Sequence, residues 1–364
     1  MPLQLEALPA LYGDALLLHY GTKAKPGLII VDGGPKTVYA NSLRLRLDDI
    51  KKKRSPNDPL PVRLVMVSHI DEDHIMGILD LANELAEAKG EKLVAVDELW
   101  HNAFTDIVGD ADDKYLKTAG GAAVASAAGT TGGGIIASVG QGKQLRSLAN
   151  KLGWVVNNER PLMMAGTGDD TIPVGELKLT ILGPSHERLV KLQKEFAKHV
   201  KAAEAKKATV VEYDDNSPAN LGSIIVFVTD GKKKILLTGD GRGDYILEGI
   251  ENAKLMKKGK FAVDVLKVPH HGSIRDLDRD FFENIPATDY VISANGKFDN
   301  PDIATLEMLL DVRGNEAYNV HLTYPVDAFE AKYDRKTLQK MIDGSKKKKY
   351  KIIPRDAAAK SVVV

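Results

Sequence analysis

Residues 65–74 combine an apolar run with a dense group of potential metal ligands. The segment reads Val-Met-Val-Ser-His-Ile-Asp-Glu-Asp-His, so its ligands are His69, Asp71, Asp73 and His74. Imidazole and carboxylate groups are the usual ligands of zinc, manganese and iron in hydrolytic sites. The apolar residues before this group are typical of a buried strand, and those at 75–85 have helical spacing. The segment therefore predicts a metal site on a strand-to-helix turn.

Three other apolar strands also run into polar residues that can bind metal. In chain order these residues are Asp240, the pair His270 and His271, and Asn300. Two ions about 3.5–4 Å apart can share a bridging carboxylate and activate a water between them. Asp240, a lone carboxylate after a buried strand and a glycine, is the bridge that we predict.

A fifth strand, at 27–31, ends in Asp32, Gly33 and Gly34. Two successive glycines permit positive φ angles and a close approach of another backbone. By itself this segment is typical of a hairpin turn. Beside a metal cluster, Asp32 becomes a candidate for a residue that hydrogen-bonds to a metal ligand and so orients it.

Length and composition exclude several classes of site. The chain has 364 residues, of which 43% are hydrophobic and 27% charged, as in an ordinary globular protein. Fifty basic residues balance fifty acidic ones, so net charge does not indicate a nucleic-acid partner. The lack of cysteine excludes disulfides, thiolate zinc sites and cysteine nucleophiles. No apolar run is long enough to span a membrane and the N-terminus lacks a signal-peptide pattern, so we expect a cytoplasmic protein without a membrane partner.

The order of strand and helix patterns predicts an α+β protein with two β-rich halves covered by helices. No linker separates these halves, so we predict a single domain over residues 1–364. Helices are expected at 37–54, 75–88, 144–152, 186–205 and 302–312. The region 103–160 begins with glycine- and alanine-rich sequence that departs from the pattern, and it predicts an insertion or lid.

Several motifs, taken in order, resemble the metallo-β-lactamase superfamily. They are Asp32-Gly33-Gly34, the segment Ser-His-x-Asp-x-Asp-His at 68–74, Leu-Thr-Gly-Asp at 237–240 and Leu-Lys-Val-Pro-His-His-Gly-Ser at 266–273. The branch that the chain resembles most is the hydrolase domain of ComEC-type DNA-uptake proteins. The similarity runs from Gly13-Asp14-Ala15 to the Asn300-Pro301 loop. It implies an αββα sandwich, in which two mixed β-sheets are flanked by helices.

The resemblance also implies a role for each residue of the first cluster and for the bridge. His69 and Asp71 would bind the first metal, and Asp71 stands where the wider superfamily has histidine. Asp73 and His74 would bind the second metal, and Asp240 would bridge the two.

The remaining implied ligands follow later strands. His270 and His271 lie where the branch has a metal-facing or proton-donating histidine, and the sequence does not separate them. Asn220 resembles part of an Asn-x-x-Ser element that replaces a histidine motif. Asn300 precedes Pro301 where the branch usually has histidine. Fewer imidazoles and more oxygen donors favour Mn²⁺ or Mg²⁺ relative to a zinc-only site, so we predict two divalent ions, Zn or Mn, with Mg as a third candidate.

These features predict a metal-dependent hydrolase. The leading hypothesis is a phosphodiesterase or nuclease that acts on nucleic acid or a nucleotide. A hydroxide that bridges the metals would attack the ester, Asp73 would orient or deprotonate the water, and His270 or His271 would protonate the leaving group. One alternative is a hydrolase of a lactone, thioester or cyclic nucleotide, because this fold hosts many substrates. Another is a metal-binding protein whose catalysis has decayed, which the Asn300 departure suggests. A protein partner is left open.

Overall fold

The computed structural model describes residues 2–103, 131–192, 194 and 218–364. Its strands are β1 Gln4–Ala7, β2 Leu16–Gly21, β3 Pro26–Val31, β4 Leu60–Val62, β5 Leu64–Met66, β6 Val94–Val96, β7 Glu98–Trp100, β8 Val155–Val156, β9 Thr171–Val174, β10 Leu177–Gly183, β11 Ile225–Thr229, β12 Lys234–Leu237, β13 Val263–Lys267, β14 Ala287–Ile292, β15 Asn319–Leu322, β16 Lys351–Pro354 and β17 Val362–Val363. Its helices are α1 Arg44–Arg54, α2 Glu72–Glu87, α3 Thr131–Leu152, α4 Gly243–Asn252, α5 Arg279–Asn284, α6 Ile303–Arg313 and α7 Arg335–Ser345. A π-helical turn, Tyr39–Leu43, leads into α1.

The strands form two large sheets and a small one. The first sheet has seven strands in the order β17-β1-β2-β3-β5-β7-β8, and the second has eight in the order β16-β15-β14-β13-β12-β11-β10-β9. Each sheet is mixed: β3, β5, β7 and β8 are parallel in the first, and β12 to β16 are parallel in the second. Because the carboxyl ends of parallel strands meet at one edge, residues that follow these strands are brought together.

Three apolar cores separate four layers. The central core joins side chains of both sheets, such as Leu18 and Met66 from the first and Val226 and Val265 from the second. A second core lies between the first sheet and α1, α2 and α3, and a third between the second sheet and α4 to α7. The layers are therefore helix, sheet, sheet, helix, and the predicted αββα fold is confirmed.

A close contact between two glycines sets the position of α2 against the first sheet. A Cβ atom on Gly77 would lie 2.0 Å from the carbonyl oxygen of Gly33, so only glycine fits there. The Gly33 N–H also donates to the carbonyl of His74 at 2.8 Å. The Asp32-Gly33-Gly34 segment is thus the place where the start of α2 meets the end of β3.

Some elements differ from the sequence-based expectation. The apolar run at 93–99 contains two strands, because β6 pairs with β4 in the small sheet whereas β7 pairs with β5 in the first sheet. Helix α3 extends well before the predicted 144–152. The helix predicted at 186–205 is observed at 186–192, and residues 195–205 lie outside the described part of the chain. Much of the predicted insertion, 104–130, lies outside the described residues, and the single-domain assignment stays a prediction.

Within the described ranges, no helix is both long and apolar enough to cross a membrane.

Candidate metal centre

The ends of four strands meet where the two sheets face each other. β3 leads into Asp32 and β5 leads into the His69–His74 segment, both in the first sheet. β12 leads into Asp240 and β13 into His270 and His271, in the second sheet. The site is therefore built by both sheets, each contributing loops from the carboxyl ends of its parallel strands.

Four side chains form the centre of this site. Asp73, His74, Asp240 and His271 each offer one ligand atom, and these atoms all lie within 4.8 Å of one another. His74 Nε2 is 3.3 Å from Oδ1 of Asp240, and His271 Nε2 is 3.4 Å from Oδ2 of the same carboxylate. Asp73 faces both imidazoles, with its Oδ2 atom 3.4 Å from His271 Nε2 and its Oδ1 atom 3.9 Å from His74 Nε2. The two oxygens of the Asp240 carboxylate thus face different histidines, His74 at Oδ1 and His271 at Oδ2.

Three further predicted residues lie around this centre. His69 Nε2 is 3.6 Å from Oδ2 of Asp71 and 3.9 Å from Oδ2 of Asp240. His270 Nε2 is 3.8 Å from the same Asp240 oxygen. His69 is buried, whereas Asp71 and His270 are partly exposed. His69 and His270 therefore approach the same Asp240 oxygen, Oδ2, that also faces His271.

Hydrogen bonds at Nδ1 set the tautomers of two buried histidines, His271 and His74. His271 Nδ1 lies 2.9 Å from the carbonyl oxygen of Ser293, which can only accept, so Nδ1 carries the proton. His74 Nδ1 lies 2.9 Å from Oδ2 of Asp32 and donates to that carboxylate. When neutral, both rings therefore present an unprotonated Nε2 to the centre, as a metal ligand must.

Asp32 is itself fixed by three hydrogen bonds. Its Oδ1 accepts from the Ser68 backbone N–H and its Oδ2 accepts from the Ser68 hydroxyl, both at 2.7 Å. The third bond is the one from His74. As the sequence suggested, Asp32 lies outside the four-residue centre and hydrogen-bonds to one of its histidines, His74.

The cluster strongly favours positive charge. Burial lowers the pKa of His271, but Asp240 and Asp14 outweigh burial and raise it to about 9. Burial likewise opposes the charged form of His74, yet Asp240 and Asp73 raise its pKa well above the usual value. Burial raises the pKa of Asp73, but the neighbouring histidines lower it to about 2. The same carboxylates that hold protons on the imidazoles would favour a divalent cation in their place.

Burial gives His69 a lower pKa than the other histidines of the cluster. It lowers the pKa of His69 to about 3, and the charge on His74 adds to the effect. His69 is therefore neutral at pH 7, which is the form that binds a metal ion.

A buried ion pair lies beneath the centre, and the sequence analysis did not assign it a role. Lys267 is fully buried, and its ammonium pairs with Asp14 and lies 3.9 Å from Oδ1 of Asp240. Asp14 in turn lies 3.6 Å from His271 Nδ1. Burial lowers the pKa of Lys267, but Asp14 and Asp240 raise it above its usual value. The signal available in the sequence was a lone lysine within the apolar run of β13.

The polar atoms at the centre provide the test of whether metal ions fit. Buried polar atoms normally have a hydrogen-bond partner. Among the described residues of the cluster around Asp240, four buried ligand atoms have none: His69 Nε2, His74 Nε2, His271 Nε2 and Asp240 Oδ1. All four belong to residues that surround the Asp240 carboxylate. Their donor chemistry and their lack of partners fit divalent metal ions.

The two predicted asparagine ligands are placed differently. Neither side chain makes a hydrogen bond to the cluster within the described residues. Asn300 is fixed through its backbone, which bonds to Gly296 and Lys297. The side-chain oxygen of Asn220 is buried without a partner on the wall of a neighbouring cavity. Metal binding by Asn220 and Asn300 stays a prediction.

The two histidines after β13 have an unusual backbone. His270 and His271 have φ angles of 44° and 54°, in the left-handed region that non-glycine residues rarely adopt. The His270 N–H donates to the Gly239 carbonyl at 3.2 Å, which ties this loop to the Asp240 loop. His270 Nδ1 pairs with Asp276 at the rim. Such strain is typical of functional loops, and here it directs two adjacent imidazoles to one carboxylate.

Comparison with known proteins gave structural likenesses only. No protein-family model and no curated protein matched the chain. Among solved structures, the metallo-beta-lactamase fold protein YhfI from Bacillus subtilis is similar over 100% of this chain and 99% of its own, with 13% identity and a TM-score of 0.43. The CmlA beta-hydroxylase E377D mutant is similar over 99% of this chain and 53% of its own, with 9% identity and a TM-score of 0.36. At these values the two likenesses carry no argument about activity.

Proposed function

We propose that this protein is a metal-dependent hydrolase that cleaves phosphodiesters, with two divalent ions at the cluster around Asp240. The observation that supports the proposal is the set of four buried, unpartnered ligand atoms around one carboxylate. The sequence resemblance to the ComEC-type hydrolase domain favours a nucleic-acid or nucleotide substrate. The mixture of carboxylates and imidazoles suits Mn²⁺ or Zn²⁺, with Mg²⁺ as a third candidate. A cytoplasmic location is part of the same proposal.

The residues would act as metal ligands or in proton transfer, and Asp73 would do both. Asp73, His74, Asp240 and His271 would hold one ion, and His69 and Asp71 would hold the other. When bound, such ions supply a nucleophile at neutral pH and stabilise charge on the phosphoryl oxygens. This assignment gives a role to every unpartnered atom of the cluster.

Proton transfer would involve two residues at the edge of the cluster. The partly exposed Asp73 carboxylate orients the attacking water and accepts its proton. His270 lies at the rim, and Asp276 at its Nδ1 leaves Nε2 as the atom that can protonate a leaving group. Burial lowers the pKa of His270, but Asp240 and Asp276 raise it, which favours the protonated, acidic form. The two histidines that the sequence left equivalent thus receive different roles: His271 as ligand and His270 as acid.

A metal-dependence assay with two matched variants tests this function. The protein is stripped with chelator, reloaded with Mn²⁺, Zn²⁺ or Mg²⁺, and offered bis-p-nitrophenyl phosphate, single- and double-stranded DNA, RNA, cyclic nucleotides and a lactone. Asp73→Asn should lower kcat by about 10²- to 10⁴-fold, the usual contribution of a general base. Asp169→Asn, at an exposed aspartate that pairs with Arg160, is the control and should retain activity.

The outcomes separate the candidate functions. Phosphodiester hydrolysis that requires metal and Asp73 supports the proposal. Turnover of the lactone alone would replace it with a small-molecule hydrolase. Metal binding without turnover of any substrate would contradict both and leave a metal-binding protein.

A further inference from the structure

A cavity of about 150 Å³ adjoins the metal centre on the side of the second sheet. Its wall is formed by the end of β10, the segment before β11 and the face of α4. Gly241, the residue after Asp240, is part of this wall, and so is Ser223. The residue after Ser223, Ile224, donates its N–H to the Ser68 carbonyl at 2.8 Å, next to His69. The cavity is therefore adjacent to the metal-binding loops.

Among the residues that the structure describes, three polar side chains of this wall have buried atoms without a partner. They are Asn220 Oδ1, Ser223 Oγ and Arg188 Nε. Ser223 is 2% exposed, so solvent does not supply the missing bond. A buried polar atom without a partner destabilises the fold, and each such group in a native structure requires an explanation. Three of them on one cavity indicate a ligand that completes their hydrogen bonds.

The charge of Arg188 is already compensated, which argues against an anion as this ligand. Its guanidinium pairs with Glu248, and its Cζ atom lies 3.6 Å from the ring centroid of Tyr245. Arg188 is held in place by these two contacts and retains Nε–H as a fixed, directional donor. The cavity thus offers one donor from Arg188, one acceptor from Asn220 and a hydroxyl from Ser223 that can act as either.

The remaining wall is mainly apolar, with Leu182, Pro184, Leu221 and Ile225. A cavity of this volume accommodates a single ring. A planar ring with apolar faces and an edge that carries both a carbonyl acceptor and an N–H donor matches the wall. We infer that this cavity binds one nucleobase of the substrate while the adjoining phosphate lies at the metal centre. The inference rests on the proposed phosphodiesterase function and names its substrate class.

A base that enters such a cavity cannot remain paired or stacked in a duplex. Enzymes that act on enclosed bases use single strands or extrude the base at an energetic cost. The substrate class is therefore single-stranded nucleic acid or a nucleotide, and duplex DNA should be cleaved more slowly.

The test uses an oligonucleotide and its abasic counterpart, in which the sugars lack bases at the cleaved positions. For the metal-loaded protein, kcat/KM should be at least about tenfold higher on the intact strand. Ser223→Ala removes one hydrogen bond to the base, so this ratio should fall by about fivefold. Ser42→Ala is the matched control: its hydroxyl donates to the Pro9 carbonyl away from the cavity, and its ratio should equal that of the wild type. Thermal unfolding and metal content are measured for each protein.

Binding of a fluorescent nucleoside 5′-monophosphate provides a readout that does not require turnover. Its Kd should rise about fivefold in Ser223→Ala, and ribose 5-phosphate should bind at least about tenfold more weakly than the nucleotide. Equal rates on intact and abasic strands, or equal binding of nucleotide and sugar phosphate, would overturn the inference and leave a cavity filled by water. Base-dependent binding without hydrolysis of any phosphodiester would instead reject the proposed function and keep the cavity assignment. Loss of metal in Asn220→Ala would assign Asn220 to the metal centre and overturn its role in the cavity.

Discussion

Replacement of Asp32 by asparagine tests whether the Asp32 carboxylate sets the tautomer of His74. In the wild type, Oδ2 of Asp32 accepts from His74 Nδ1 at 2.9 Å, and both carboxylate oxygens accept from Ser68. An amide has only one oxygen, so Asp32→Asn must present its NH₂ group to one of these donors. If the oxygen remains on the Ser68 N–H, the NH₂ group faces His74 Nδ1 and forces that nitrogen to accept. The ring proton then moves to Nε2, the atom that would bind metal.

The expected result is weaker metal binding with little change in shape. Loss of a carboxylate that orients a ligand histidine typically costs 10- to 100-fold in metal affinity, which is about 1.4–2.8 kcal/mol. Competition with a chromophoric chelator measures the affinity for Mn²⁺ and Zn²⁺, and circular dichroism verifies the fold. Asp97→Asn is the control, because Asp97 is exposed and pairs with Arg63. An Asp32→Asn protein that binds both metals as tightly as the wild type would refute the tautomer argument.

Two further predictions concern buried charges. Lys267→Met leaves the buried Asp14 carboxylate without its lysine partner. The free energy of unfolding of the metal-free protein, measured by urea titration, should therefore fall by about 3–5 kcal/mol. A loss below about 1 kcal/mol would contradict this prediction. Burial raises the pKa of Glu6, but hydrogen bonds from His19 and Arg46 lower it from 4.5 to about 2. Because the folded-state pKa is depressed, its contribution of about 3 kcal/mol is complete above pH 4.5 and is lost as the pH falls towards 2. Between pH 4.5 and 2, the free energy of unfolding from urea titrations should fall more steeply with decreasing pH in the wild type than in Glu6→Gln. Identical pH profiles of the two proteins would contradict the lowered pKa of Glu6.

The parts of the site that lie close together in sequence were predictable from sequence. His69 to His74 provide ligands within one turn, so composition and spacing alone indicate a metal cluster. Asp240 and the histidine pair were found because each follows an apolar strand, and parallel strands place such ends at one edge. The fold class followed from the same alternation of strands and helices.

The contacts between distant residues were not predictable. Lys267 and Asp14 pair across the two sheets, and no local pattern connects a lysine in β13 with a turn before β2. The different roles proposed for His271 and His270 depend on their contacts with the Ser293 carbonyl and with Asp276. Only the packed loops bring these partners into position. The cavity beside Ser223 is formed by three segments, and the sequence drew attention to Asn220 only as a metal ligand. Long-range packing, rather than residue type, decided each of these cases.

Because the candidate ligands follow strands of both sheets, a metal ion bound at the cluster would link the two halves of the sandwich. Asp73 and His74 follow β5 of the first sheet, and Asp240 and His271 follow β12 and β13 of the second, so neither half holds the four-residue cluster. Binding should therefore be coupled to closure of the sheet interface, and a free ion at a hundredfold excess over its Kd would add about 2.7 kcal/mol to stability. Chelation should then speed amide hydrogen exchange first in the strands that face each other, β5 and β12, before it affects the outer helices.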